Sequence, residues 1–286
     1  MRNPSLIGRY LNRLYHTRLG RWDYNRNGVD VFEEDWDNLI ILDAARPELF
    51  ESRYPGRVER RTSRGACTIE FLRGNFRGRD LSDTVYVTAN PHLSGYRDEL
   101  DVILHEVVDV WGGENWSSLF DTVLPETVEE EALKASESFP GKRLVIHFMQ
   151  PHYPFIYEGE PEIEPGTRNI WQKASRGELE VSGEDAGRGY RQTFDRAWES
   201  VENLIEGLEG KTVVTSDHGN IYNERISPIP VKDWGHPIGI YDSKLVEVPW
   251  LKFDGDRREI SSESSRYDDD VDEEEIKEKL GKLGYD

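Results

Sequence analysis

The stretch KTVVTSDHGN, Lys211 to Asn220, decides the fold. Thr212, Val213, Val214 and Thr215 form a short β-branched run suited to a buried strand, and Ser216-Asp217-His218-Gly219 then turns the backbone. An Asp and a His therefore stand together at the carboxyl end of a strand. In open α/β sheets ligands bind at this edge, because the strands hold the loops that leave it. A carboxylate beside an imidazole suits a borderline divalent ion such as Zn²⁺ or Mn²⁺, and Gly219 removes a Cβ that would crowd such a site. Taken alone, the pair reads as a helix-capping Asp beside a surface His, so the surrounding chain has to decide.

Working outward, Asn38–Leu42 is an apolar run that predicts a central strand ending at Asp43. Asp43 is thus a second carboxylate at a strand end, or a cap for the helix that Pro47 helps to start. Leu144–Met149 predicts another buried strand, running into Gln150-Pro151-His152-Tyr153-Pro154. The two prolines fix this loop, and a rigidly held His152 with a near-neutral pKa suits proton donation to a leaving group. His147 lies inside the strand, as a core residue or a support. Thr84–Thr88 predicts a further strand, closed by Ala89-Asn90-Pro91-His92.

Gly65-Ala66-Cys67-Thr68 is a small-residue turn before a helix starting near Ile69. A hydroxyl there faces the backbone N–H groups and dipole that stabilise an anion. Thr68 is placed to attack a phosphate or sulfate ester, or to cap the helix; Ser63 and Cys67 are less well placed alternatives. His236 sits between Gly235 and Pro237 in a loop that leaves the candidate metal region.

Elsewhere, Leu104, Val107, Val108 and Trp111 predict a helical face, and Val128–Phe139 an acidic surface helix. Glu158–Gly187 reads as a surface loop or lid. Phe194, Trp198, Val201, Ile205 and Leu208 predict a helix packed on the sheet. Leu245–Leu251 predicts a late strand that Pro249 places at an edge or bulge. Asp254–Glu275 carries eleven acids, three Arg and four Ser, a solvated segment, and Asp272–Leu283 predicts a short closing helix. Strands alternating with helices predict a three-layer α/β/α sandwich around a largely parallel sheet, residues 36–286, preceded by a basic helix and lead-in loop over 1–35.

The chain has 286 residues and a formal charge of −20, which excludes nucleic acid as a partner on electrostatic grounds. Its basic residues are 26 Arg and 10 Lys, and an acidic surface poor in Lys fits a protein kept soluble in high salt. One cysteine, Cys67, excludes an internal disulfide framework. With no run approaching the roughly 18 apolar residues of a membrane span and no signal-type stretch, the expected location is cytoplasmic. Residues 1–22 hold five Arg and no acid, and Leu6, Ile7, Tyr10, Leu11, Leu14 and Tyr15 recur at helical spacing. This helix is expected to pack on the acidic body of its own domain, with contact to an anionic membrane surface as the alternative.

The segments NLIILDAARPELF, GACTIEFLRG, HFMQPHYPFI, TVVTSDHGN and GHPIGIYDSKLVEVPWL, together with the closing EKLGKLGY, resemble the sulfatase-like branch of the alkaline phosphatase superfamily. The resemblance implies an alkaline phosphatase-like fold. It implies that Asp43, Thr68, Asp217 and His218 bind one divalent metal ion, Mn²⁺ or Zn²⁺ first and Ca²⁺ or Mg²⁺ next. Thr68 would be the covalent nucleophile, and His152 and His236 would contact the transferred group or protonate the departing alcohol. The implied substrate is a small-molecule or glycan ester of phosphate, phosphonate or sulfate.

Cys67-Thr68-Ile69-Glu70-Phe71 departs from the C-x-P-S-R motif of true sulfatases, Ala44 replaces their second acid, Asn220 stands where many members have Glu, and Trp198 falls about where a second-metal Asp would be. One metal is therefore expected. The alternative is a catalytically degraded relative that binds an anionic glycan or lipid.

Overall fold

The structure is a computed structural model describing residues 4–157, 159–263 and 272–285. In chain order it begins α1 (Pro4–His16), β1 (Asn38–Leu42), α2 (Pro47–Arg53), β2 (Glu59–Thr62), α3 (Thr68–Asn75), β3 (Asp80–Thr88), α4 (His92–Gly95) and α5 (Arg97–Leu100). It continues β4 (Ile103–Asp109), β5 (Trp116–Ser117), β6 (Thr122–Val123), α6 (Pro125–Ser138), β7 (Arg143–Phe148), α7 (Ile170–Arg176) and α8 (Gly183–Gly207). It closes with β8 (Thr212–Thr215), β9 (Ile221–Ile226), β10 (Val231–Gly235), α9 (Ser243–Val246), β11 (Glu247–Phe253) and α10 (Glu273–Lys282).

Seven strands form one sheet in the order β2-β11-β8-β1-β7-β3-β4. The block β8-β1-β7-β3-β4 is parallel, and β11 runs antiparallel to β8 and β2. All five residues of β1 are buried, as a parallel strand covered on both faces requires. The pleat splits them: Ile40 and Leu42 join Phe50, Val128, Phe194 and Val201 from α2, α6 and α8, while Leu39 and Ile41 join Phe71 and Leu72 from α3 on the other face. Val85 and Val87 against Tyr86, and Val214 against Val213, divide in the same way. This is the expected three-layer α/β/α sandwich around a largely parallel sheet.

Several local expectations are corrected. Leu104–Val108 is the edge strand β4 and not a helix: Leu104, Val107, Val108 and Trp111 fall at helical spacing by coincidence, while β-branched Ile103, Val107 and Val108 pair alongside β3. The stretch Glu158–Gly187 is not all loop, because α7 buries Ile170 and Trp171, and Ser182 caps the start of α8 by accepting from the Asp185 N–H. Pro249 lies in the second strand of the sheet and not at its edge. It is tolerated because β11 at that point pairs with β2 alone, the ladder to β8 beginning at Trp250.

The part of the acidic segment before residue 264 is anchored and not merely solvated. The Ser261 N–H donates to Gly141 O, Lys142 Nζ donates to Ser261 O, and Arg258 donates to Asp37 O and Asn38 Oδ1. Its continuation, with Ser264 and Ser265, lies outside the described residues. Helix α1 docks on the β9–β10 hairpin, but through Gly8, Asn12 and His16, with most of its apolar residues outward.

Candidate active site

Asp43 leaves β1, Asn90 follows β3, Gln150–Pro154 follows β7, and Asp217 and His218 leave β8, all at the carboxyl edge of the sheet. The opposite wall is the Thr68 turn at the start of α3. Asp43 does not cap α2. That role falls to Arg46, which makes no side-chain cap bond, and the Asp43 carboxylate is wholly buried in the site. The residue after it, Ala44, adopts a left-handed φ of 62°, a strained backbone that turns its N–H onto Asp217 Oδ1 at 3.0 Å.

Asp43, Asp217 and His218 converge in a fully buried cluster whose donor atoms lie within 4.8 Å of one another. His218 Nε2 is 3.5 Å from Asp43 Oδ1 and 3.4 Å from Asp217 Oδ2. Those two carboxylate oxygens are buried with no hydrogen-bond partner. Thr68 Oγ1 is 3.3 Å from Asp43 Oδ2 and 3.4 Å from His218 Nε2. The His218 Nδ1–H donates to Gly219 O at 2.8 Å, which leaves Nε2 as the ring nitrogen that faces the acids.

Two bare carboxylate oxygens, an imidazole lone pair and a hydroxyl are a donor set for one divalent ion of the Zn²⁺ or Mn²⁺ type, so the residues fit the group. Gly219 is needed for a different reason from crowding of the site itself, because a Cβ there would sit 2.1 Å from Lys244 O.

The electrostatics match this geometry. Burial and the neighbouring Asp217 push the Asp43 carboxyl well above its usual value. For Asp217 burial acts upward, but His218 and His147 outweigh it and hold the group below its usual value. His147 lies 3.7 Å from Asp217 Oδ2 and is hydrogen-bonded through Nδ1 to Tyr86 at 2.6 Å, a supporting role.

The rival nucleophiles are occupied or suppressed. Ser63 donates to Asp217 O and accepts from the Gly65 N–H, and burial followed by the Glu70 charge raises the Cys67 thiol well above its normal value.

His152 and His236 meet, with their Nε2 atoms 2.8 Å apart. The His152 Nδ1–H donates to Tyr153 O, so its Nε2 accepts from His236 Nε2–H and from the Tyr285 hydroxyl at 3.2 Å. Burial and the nearby His218 push His152 down to about 3, and burial also carries His236 well below its usual value. Burial thus acts against the near-neutral pKa expected of a His152 acid and in the same direction on His236. Trp198 packs on Phe50 and Phe194 and donates to Glu202.

Two residues escaped the sequence reasoning. Asn90 Nδ2 donates to Asp43 Oδ2 at 2.7 Å, while its Oδ1 takes the His92 N–H at 3.0 Å. Tyr285 stacks on His152 with centroids 5.3 Å apart and meets the His92 ring edge-on at 4.3 Å. Asn90 had no signal beyond its place after a strand. Tyr285 is the aromatic of the closing EKLGKLGY, whose resemblance to sulfatase-like chain ends was the available hint.

No family model matches the chain, and no curated protein matches it in sequence. Solved structures share its fold. The C-terminal periplasmic domain of EcEptC from Escherichia coli, in complex with Zn, superposes with a TM-score of 0.51 at 14% identity, over 77% of this chain and 72% of that one. The integral membrane lipooligosaccharide phosphoethanolamine transferase A from Neisseria meningitidis gives 0.50 at 13% identity, over 77% of this chain and 47% of that one. The chain thus spans about half the length of that transferase. A looser likeness, TM-score 0.42 at 10% identity, covers 96% of this chain and 75% of a protein in the alkaline phosphatase superfamily from Vibrio parahaemolyticus.

Proposed function

We propose that the chain is a metal-dependent transferase or hydrolase of phosphate-type esters, working through a covalent Thr68 intermediate. The observation that carries this reading is the pair of partnerless buried oxygens, Asp43 Oδ1 and Asp217 Oδ2, facing His218 Nε2 with the Thr68 hydroxyl beside them. A neighbour in fold, crystallised in complex with Zn, and another named as a phosphoethanolamine transferase support it.

Asp43, Asp217, His218 and Thr68 would hold one divalent ion, which supplies positive charge to the nucleophile and to a non-bridging oxygen of the ester. Thr68 stands at the N-terminus of α3, its hydrogen directed at Asp43 Oδ2, which leaves an oxygen lone pair for attack on phosphorus. The Thr68 proton passes to Asp43 Oδ2 as the new bond to Oγ1 forms and the ester bond breaks, and the departing alkoxide takes its proton from water. Water or an acceptor hydroxyl then reverses the step and frees Thr68.

The low proton affinity of the two imidazoles favours contact with the transferred group over proton donation. The Tyr285 hydroxyl and the His236 Nε2–H now spend their hydrogens on one lone pair of His152. An anionic phosphoryl oxygen is the stronger acceptor and draws both donors to itself.

Metal analysis combined with turnover of nitrophenyl phosphate, phosphonate diester and sulfate tests the reading. One ion per chain is expected, and Thr68→Ala lowers turnover by about 1000-fold or more, with an ion held more weakly by the remaining Asp43, Asp217 and His218. Ligand retention without turnover in the unaltered protein would replace the enzyme with a binding protein for an anionic glycan or lipid.

A further inference from the structure

Helix α1 is packed inside out. Its body-facing side is small or polar: a Cβ on Gly8 would meet Val231 Cγ1 at 2.5 Å, Asn12 exchanges two hydrogen bonds with the Ile229 backbone at 2.9 and 2.8 Å, and His16 bonds Ser227 O at 2.8 Å. The opposite side carries Leu6, Ile7, Tyr10, Leu11 and Tyr15, with Leu19 just beyond, each between 46% and 75% exposed. These are six of the ten large hydrophobic residues exposed among the described residues. An ordinary surface helix turns such a stripe to the core. Here the core-facing positions are filled by other chemistry, so the stripe is left free for something outside the molecule.

Charge narrows the partner. Residues 1–22 contain five Arg and no acid in a chain of net −20. Arg13, Arg18 and Arg21 are exposed around the stripe, and the Arg18 guanidinium lies over the Tyr15 and Trp22 rings. Aliphatic and tyrosine side chains bordered by arginine have the composition of a helix that lies in the headgroup layer of an anionic bilayer. No described helix is long and apolar enough to cross a membrane, so the geometry is one of lying on the surface.

The stripe also continues into the site. A cleft of about 810 Å³ is lined by Leu6, Arg9, Tyr10 and Arg13 of α1 together with His236 and Tyr285 of the site. Two more of the exposed hydrophobics, Tyr96 and Ile238, line the same cleft.

We propose that this face docks the protein on a bilayer of anionic phospholipid, setting the cleft at headgroup depth so that its ester substrate is taken from the membrane. The substrate half of this statement rests on the catalytic reading above; the docking half does not.

Co-sedimentation with vesicles separates the two. Wild-type protein should pellet with vesicles containing about one-third anionic phospholipid at least roughly 10-fold more readily than with purely zwitterionic ones. The double variant Ile7→Glu/Leu11→Glu, at two exposed positions outside the cleft, should bind at least about 10-fold more weakly with an unchanged melting curve and unchanged turnover of soluble nitrophenyl esters. Arg18→Ala/Arg21→Ala should remove the preference for anionic lipid.

Absence of vesicle binding by the wild type, or binding that the Glu pair leaves intact, overturns the proposal. A dimer in light scattering that the Glu pair dissociates would assign the face to a second copy and overturn it as well. Vesicle binding in a protein that turns over no ester keeps the docking and removes the enzyme.

Discussion

The two ends of the central sheet solve the same problem in opposite ways. At the amino end Asp37, just before β1, is buried, yet its Oδ2 takes the Lys211 N–H at 2.8 Å and lies 3.5 Å from Arg257. Asn38 beside it is bonded to Glu209 O, Thr212 and Arg258. Cations and amides are brought to the acid, partly by the strap 254–263.

At the carboxyl end of the same strand Asp43 meets Asp217, a second acid, and the positively chargeable groups beside them are imidazoles. No Arg or Lys is paired with either acid among the described residues. Two buried like charges without a cation cost stability. A sheet that neutralises one end and leaves acids faced only by imidazoles at the other has donor groups at that end that could hold a cation.

The largest test of this contrast is Asp217→Asn. Metal affinity should fall by well over about 100-fold, beyond the range for an indirect partner, and turnover with it. The metal-free protein should also melt lower than wild type, because the charge that His218, His147 and the Ala44 N–H stabilise is lost. A variant that keeps its ion, by elemental analysis, would break the comparison.

A second test uses Glu70, a buried acid with donors but no cation in contact: the Ala66 and Gly239 N–H groups and the Tyr241 hydroxyl. Burial outweighs them and lifts its pKa from 4.5 to about 7. The folded state therefore binds this proton more tightly than the unfolded chain. The resulting stability is fully present below pH 4.5 and is lost as pH rises through about 7. That gap, at roughly 1.4 kcal/mol per pH unit, is on the order of 3 kcal/mol. Denaturant midpoints should show wild type losing ground to Glu70→Gln across this window; parallel pH profiles would contradict it.

Asn90→Ala probes the support of Asp43. Removing the 2.7 Å hydrogen bond should weaken metal binding by about 10- to 100-fold, read by calorimetric titration with Zn²⁺, and leave the fold intact. The smallest effect belongs to the neutralised end: Asp37→Asn should cost about 1 kcal/mol of stability and no activity. If activity fell instead, the two ends would not be independent.

The strands that carry the site were legible because parallel strands buried on both faces need continuous apolar runs, and β1, β7 and β8 have them. Asp43, Asp217 and His218 were legible because each follows such a run within three residues, and Thr68 because small residues precede it at a helix start. The edge strand β4 was not, since a half-exposed strand carries a mixed pattern that matched helical spacing. Asn90 and Tyr285 were not, because each acts by touching a residue far away in the chain.

The amino-acid sequence alone determined the layered α/β architecture, the edge at which the chemistry gathers and the residue types present there, since periodicity and strand-end position are local properties. Tertiary structure decided the rest: that Asp43 Oδ1 and Asp217 Oδ2 face His218 without hydrogen-bond partners, that two buried histidines share a hydrogen bond, and that α1 turns its apolar side outward. Burial, proton affinity and exposed surface depend on what the folded chain places against each group, and no local pattern encodes that.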